Sequence, residues 1–540
     1  MIPLAAMENW LNTTAMGALL LVYVLMISYL GFRGYRKTRN SSDFLVAGRS
    51  ANPFAMAMSY GAAFISTSAL VGFGGIAGQF GMGLMWLVFM NIAFGIIVAF
   101  IWFGKRTRRI GVALDARTFP EFIGRRFQSG RMQYLIAGVI FCFIPLYSSV
   151  VLISGARFLQ EVMSVPYHWV LLIFTLVVAV YVIFGGLRGV MYVDALIGSI
   201  MVGGMLLLLV LCYVKLGGVI PAHQALTDMA PEVQRRLPEA FNLGHRGWTV
   251  MPEFNSVWWW TLVSSLMLGV GIGALAQPQL AVRFMTVKSD RELHRAVMVG
   301  SFFILCTAGV AYMIGALSNV FFFEKHGKLA IEVARGNPDL IIPIYIHEAL
   351  PPLVLYVFAL TMLSAAMSTL SSLFHVTGSS IGYDICGKLR RNGESTAITR
   401  IGVGFGIVLS VIFALILPPG IVARGTAIFF GVCAAAFLPA YAAALYWKRA
   451  TRAGVWCSIA VGTGVSLFGL LFLHSKESRM LGICQWLFGK TELISAHPWP
   501  VVDPFVYALP LSLVTLIVVS LLSAPPDESH LRRCFDREDV

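Results

Sequence analysis

Apolar runs of about 20 residues recur from Ala15 to Leu522, each long enough to cross a bilayer as a helix. Strands of a transmembrane barrel would be about 10 residues long and would alternate apolar with polar. Only 12% of the residues are charged, against about 25% in soluble domains. The pattern predicts an all-α polytopic membrane protein with about thirteen transmembrane helices. Among them, the second is expected over Pro53 to Phe80, the fifth and sixth over Trp169 to Phe184 and Tyr192 to Lys215, and the seventh over Trp258 to Phe284.

The net charge of +14 raises the question of nucleic acid, but its placement answers it. Lys and Arg cluster in short loops between spans, at Arg33 to Arg39, Lys105 to Arg109, Arg283 to Arg295, Lys388 to Arg391 and Lys448 to Arg452. Such alternation is the signature of cytoplasmic loops. No nucleic-acid partner is expected. The charge pattern puts the N-terminus outside and the tail Ser523 to Val540 in the cytoplasm, in a plasma membrane and most simply a prokaryotic inner membrane. Amphipathic Phe119 to Phe127 is expected at the cytoplasmic surface. Met1 to Thr14 has no basic n-region, so no cleavable signal is read. The eight cysteines form no CxxC pair, and no GxxxxGK[ST] loop occurs, which disfavours ATP-driven transport. Residues 1–540 read as one membrane domain, with no obligate protein partner evident.

Within the ninth span, Ala365, Ser368 and Thr369 stand at i, i+3 and i+4, so a carbonyl and two hydroxyls share one helical face. Neutral oxygens suit a small hard cation, whereas hydroxyls gluing two helices together are the plainer alternative. Two other spans look discontinuous. Gly72, Gly74, Gly75, Gly78, Gly81 and Gly83 crowd the outer half of the second; Gly269, Gly271 and Gly273 precede Gln277-Pro278 in the seventh. Paired interruptions in corresponding places of two halves point to the solute site of a secondary transporter. Close packing through small residues is the competing account, and it fits Gln277-Pro278 poorly. Spans two and seven are spaced as the starts of two five-helix repeats, over about 53–216 and 256–447.

In order along the chain, several segments resemble the sodium:solute symporter family of proline, pantothenate, sialic acid and sodium/glucose carriers. They are Asp43-Phe44-Leu45-Val46-Ala47-Gly48-Arg49-Ser50, Ile65-Ser66-Thr67-Ser68, Ser154-Gly155-Ala156-Arg157 and Phe184-Gly185-Gly186-Leu187-Arg188 with Asp194. Gln277-Pro278-Gln279 leading to Val282-Arg283-Phe284-Met285, and Met367-Ser368-Thr369, complete the series. The resemblance implies a leucine-transporter-like 5+5 inverted repeat with one leading and two trailing helices. It also implies sodium as coupling ion, held by Ala62, Ile65, Ala365, Ser368 and Thr369. Solute would lie among Thr67, Ser68, Tyr147, Ala274, Gln277 and Pro278, with Asp194 on the sodium exit route. Without it, Asp194 reads equally as a helix cap and Tyr147 as a packing residue.

Two departures bear on the solute. Phe64 stands where proline carriers have Asp, and Val270 and Ala274 replace their aromatic pair. The run Ile65 to Gly83 is closer to the pantothenate and monocarboxylate branch, so a small carboxylate is expected; proline, other amino acids and sugars are the alternatives. Arg157 and Arg283 lie near span ends, where snorkelling to the interface is the expected behaviour. His375 lines up with Ser368 and Ser372; a neighbouring hydroxyl is its expected partner, and a proton-coupling role on the inner exit is the alternative. A non-transporting sensor and a membrane-embedded enzyme are the rivals from other classes. Neither the signalling domain nor the reactive cluster that these need is evident.

Overall fold

Polar side chains set where the helices begin. Asn52 accepts the amide of Phe54 at 2.9 Å just ahead of Pro53, the first residue of the helix Pro53–Phe64. Thr118, Ser256 and Thr451 cap the helices that follow them in the same way, each accepting an amide at 3.1 Å. The computed structural model describes residues 4–163, 165–387 and 396–535; the expected basic loop Lys388 to Arg391 lies outside them.

The chain is all helical and polytopic. Among the described residues, eleven helices are long and apolar enough to cross a membrane, rather than the thirteen expected. The difference has two local causes. The second expected span divides at Ile65, leaving Pro53–Phe64 too short by itself, while its outer half runs through a turn at Gly81 into the third within Ser68–Ala113. Between the fifth and sixth, Gly186 adopts φ +58°, and the first half, Tyr167–Val180, is a short apolar helix. Only glycine takes that backbone without strain here, because a Cβ would press on the Phe44 ring at 2.6 Å.

Two helices are enclosed by the rest. Val354–Gly387 and Val422–Tyr446 are 78% and 83% buried, against 28% for the trailing Phe505–Leu522. The first of these packs against the helices Tyr167–Lys215, Gly130–Met163 and Pro53–Phe64. The helix Phe119–Arg126 is tucked beneath the bundle rather than lying on its surface: Tyr383 Oη donates to its Glu121 carboxylate at 3.1 Å, and Arg125 pairs with it at 2.6 Å. On the opposite face the long loop between Gly217 and Asn255 reaches back over the bundle. Its buried Trp248 donates through Nε1 to the Gly78 carbonyl at 2.9 Å, and its own carbonyl accepts Met82 N–H at 2.6 Å. Gly81 beside it has φ +67°, and a side chain there would collide with the Trp248 backbone.

Candidate functional site

Both expected discontinuities exist, but one is displaced. The seventh span breaks where expected: Gln277 has ψ 120°, and the helix resumes at Pro278. Proline disfavours the α region for the residue before it, in keeping with that ψ. The second span breaks at Ile65 and Ser66, with ψ 99° at Ile65, and not at Gly72 to Gly75. The chain is helical from Ser68 through Phe80. Those glycines serve close packing instead: a Cβ at Gly75 would run into the Pro338 carbonyl, and one at Gly74 would lie 2.9 Å from Ile342.

The first break ends a helix without main-chain partners for its last carbonyls. The Thr369 hydroxyl donates to the carbonyls of Ala62 and Ala63, at 3.3 Å each. Ala62, Ala365, Ser368 and Thr369 are fully buried and Ile65 is 1% exposed. Ser368 turns differently from its neighbour. Its Oγ lies within reach of the Asp194 carboxylate. Helix Pro352–Ser379 thus presents one hydroxyl to the broken helix and one to the helix Gly186–Lys215.

Above the break, Ser68 and Tyr147 of the expected solute residues come together, with Thr67 beside them. Ser154 Oγ donates to Thr67 Oγ1 at 2.7 Å, and Ser66 and Ser68 share a hydrogen bond of 2.8 Å. The Tyr147 hydroxyl lies within reach of Ser66 and Ser68, and its ring stacks on Phe429 at 4.6 Å. Phe430 stands edge-on to Tyr147 and stacks on Phe64 at 6.2 Å. Gly95 sits between Phe64 and Ala274: a Cβ there would be 2.6 Å from the ring and 3.6 Å from Ala274 Cβ. At the other break, Gln279 donates to Gln277 Oε1, while Gln277 Nε2 is buried without a partner among the described residues. The aromatic wall of Phe429 and Phe430 escaped the sequence reading, because two Phe in an apolar helix carry no signal apart from core packing.

The charged residues depart most from expectation. Arg283 does not snorkel; it is 1% exposed, because Pro278–Phe284 turns into the bundle after the break. Its Nη2 pairs with Asp194 Oδ2 at 3.3 Å and donates to Ser372 Oγ at 2.5 Å. Its Nε donates to Ser59 Oγ at 3.0 Å, and Ser59 in turn donates to Asp194 at 2.6 Å. Asp194 stands eight residues beyond the Gly186 break and is therefore no helix cap. Arg157 is partly exposed, bonded to Gln160 at 3.0 Å and over the Tyr167 ring at 4.3 Å. His375 Nε2 faces the Phe44 carbonyl at 2.8 Å rather than a hydroxyl. A carbonyl only accepts, so Nε2 carries the proton and buried Nδ1 is left without a donor among the described residues.

Similar proteins agree with this architecture. The osmoregulated proline transporter OpuE of Bacillus subtilis is 26% identical over 517 residues, covering 95% of each chain. The sodium/pantothenate symporter of Haemophilus influenzae is also 26% identical, over 87% of this chain and 95% of its own. Among solved structures, a Na+-coupled sialic acid symporter in a substrate-bound outward-open state superposes with a TM-score of 0.70 at 16% identity, over 95% of this chain and 98% of its own. The nucleobase-cation-symport-1 family transporter Mhp1 shares the fold with a TM-score of 0.54 at 14% identity, over 92% of this chain and 99% of its own. The architecture is that of the leucine-transporter-like symporters, and the pattern of the sodium:solute symporter family matches residues 44–462. The chain is a multi-pass membrane protein that belongs to the sodium:solute symporter family.

Proposed function

We propose that this protein imports a small organic solute, a monocarboxylate or pantothenate-like carboxylate, driven by sodium and working by alternating access. The observation that carries the reading is the Thr369 hydroxyl directed at the carbonyls of Ala62 and Ala63 at 3.3 Å. A sodium ion entering there exchanges a weak hydroxyl contact for several oxygen ligands, from Ala62, Ile65, Ala365, Ser368 and Thr369. In doing so it joins the helix Pro352–Ser379 to the first broken helix, so ion binding selects one relative position of the two. Ser368 Oγ, buried beside Asp194, would turn towards the break to complete the set.

The solute's place is the gap between the breaks, among Thr67, Ser68, Tyr147, Ala274, Gln277 and Pro278. The polar groups there are hydroxyls and amides, and Asp194 is already paired with Arg283. A solute ammonium would find no carboxylate, whereas an anion would meet the amide end of the half-helix that starts at Ser68 and the free Gln277 Nε2. This favours a carboxylate over an amino acid, although the relatives include proline transporters. The Phe64, Phe429, Phe430 and Tyr147 rings suit an apolar body behind the carboxylate. The basic face is the cytoplasmic one, with the N-terminus outside, and residues 53–216 and 256–447 form the two repeats. His375 and Asp194 lie on the side from which ions leave.

Uptake into proteoliposomes of labelled lactate, pantothenate and proline tests the reading. An imposed inward sodium gradient is expected to accelerate carboxylate uptake at least tenfold over a potassium gradient, and Ser368→Ala with Thr369→Ala to abolish that difference. Uptake indifferent to sodium, or sodium dependence that survives the double variant, refutes it. A second reading, proton coupling through the bare Nδ1 of His375, predicts that a pH gradient alone drives uptake and that His375→Gln stops it.

A further inference from the structure

The face opposite the basic loops carries a cavity of about 240 Å3 away from the central gap. It lies where the outer half of the second broken helix, at Thr261 and Leu266, meets the start of Val422–Tyr446 and the segment joining the two trailing helices. That segment is well anchored. Ser475 N–H donates to the Pro500 carbonyl at 3.0 Å, and Ser478 Oγ bonds the carbonyls of Leu471 and Thr491 at 2.8 and 2.6 Å.

The charges lining the cavity do not balance. Arg424, Lys476 and Arg479 are cationic, and Glu477 and Asp503 are the acids. Both acids are already consumed. Glu477 is paired through Oε1 with Arg424 and through Oε2 with His474. Burial alone would raise its pKa, but the His474 hydrogen bond and charge, with Arg424, bring it down to about 2. Asp503 faces the protein: its Oδ1 accepts the Phe505 amide at 3.1 Å, and its own amide donates to Ser264 at 3.2 Å. Loss of water raises Asp503 to about 6. Lys476 and Arg479 make no hydrogen bond or ion pair among the described residues, although Lys476 stands close enough to Arg424 to be repelled by it. Partial loss of hydration and that repulsion lower the pKa of the exposed Lys476 ammonium against the pull of neighbouring Glu477.

Two exposed cations at the rim and a third, shared one behind them, held around a cavity by an anchored loop, gather donors suited to an oxyanion. We propose that this cavity binds a small oxyanion, a carboxylate or phosphate group, at a site separate from the central solute gap. Lys476 and Arg479 hold the ligand at the mouth and Arg424 at the back. Exposed Trp486, Leu487 and Phe488 follow on the same segment, 82%, 51% and 55% exposed, as in an interfacial anchor. The anion is thus within reach of two sources, free solute and the headgroup of an anionic lipid. Either would tie the outer half of the broken helix to Val422–Tyr446, two elements that alternating access requires to move.

Thermal unfolding of the full chain in phosphatidylcholine nanodiscs, without sodium and at constant ionic strength set with chloride, tests the site. Succinate and then inorganic phosphate are titrated as probes against the wild type, Lys476→Gln/Arg479→Gln, and Ser368→Ala/Thr369→Ala. A saturable rise of about 2 °C is expected in the wild type and in Ser368→Ala/Thr369→Ala, and no rise in Lys476→Gln/Arg479→Gln. Because sodium is absent and the central-site variant keeps the effect, this outcome stands whether or not sodium drives uptake. If the source is lipid, phosphatidylglycerol nanodiscs raise the wild type by a similar amount with no added probe, again only while Lys476 and Arg479 are present. The inference is overturned if neither probe nor phosphatidylglycerol shifts the wild type. It is also overturned if the shift survives Lys476→Gln/Arg479→Gln or disappears in Ser368→Ala/Thr369→Ala.

Discussion

The two helix breaks reach the same geometry by different routes. At Gln277 the chain bends where Pro278 removes a helix N–H and disfavours a helical ψ at the residue before it. At Ile65 neither neighbour is Pro or Gly; the bend is held by what lies opposite, where Thr369 takes the carbonyls the helix gives up. One break is local chemistry and the other is tertiary. Gly72, Gly74 and Gly78 downstream of Ile65 pack against neighbouring helices and Gly81 makes a turn, so glycine density by itself does not locate this break.

The largest expected effect probes the brace beneath both breaks. Ser59 precedes the first, Arg283 follows the second, and Asp194 joins them. Arg283→Gln leaves the Asp194 carboxylate buried and should cost about 3–5 kcal/mol. Adding Asp194→Asn should recover a large part, read as thermal stability in nanodiscs; equal losses in the single and double variants would dissolve the brace. Next, Gly75→Ala should lose about 1–3 kcal/mol by overpacking against Pro338 while leaving the sodium half-saturation of uptake unchanged. A changed sodium response there would return the glycines to the ion site.

Thr369→Val should cost about 1 kcal/mol and raise the sodium half-saturation about fivefold, since it removes the hydroxyl facing Ala62 and Ala63. An unaltered sodium response would mean the first break does not bind the ion. Smallest should be Pro278→Ala. If the surrounding helices can hold a break without proline, as at Ile65, stability falls by less than about 1 kcal/mol and the uptake rate stays within about threefold. Loss of uptake would show the second break to be wholly proline-made.

What could be read beforehand follows the same division. Hydropathy located the helices because burial in lipid is written in composition, and Gln277-Pro278 located a break because proline acts on its own neighbour. Ile65 was reachable only through the family resemblance, since a hydroxyl 304 positions away leaves no local trace. Arg283 misled for a related reason. It ends an apolar run, which ordinarily means the membrane surface, but after a break the chain end of a half-helix lies inside. The anionic-site residues Arg424, Lys476 and Arg479 gave no warning either, being ordinary loop and helix-end charges until the fold gathers them.

The Arg283–Asp194 pair has an electrical consequence. Whichever of the two holds the proton, together they carry no net charge, so the membrane field does no work on them when the helices that bear them rock. A transmembrane voltage of 100 mV is worth about 2.3 kcal/mol per elementary charge. That driving force therefore acts on the cargo rather than on this part of the machine. One sodium carried with one monocarboxylate would draw no current, and each further sodium would appear as one positive charge moved inward per turnover.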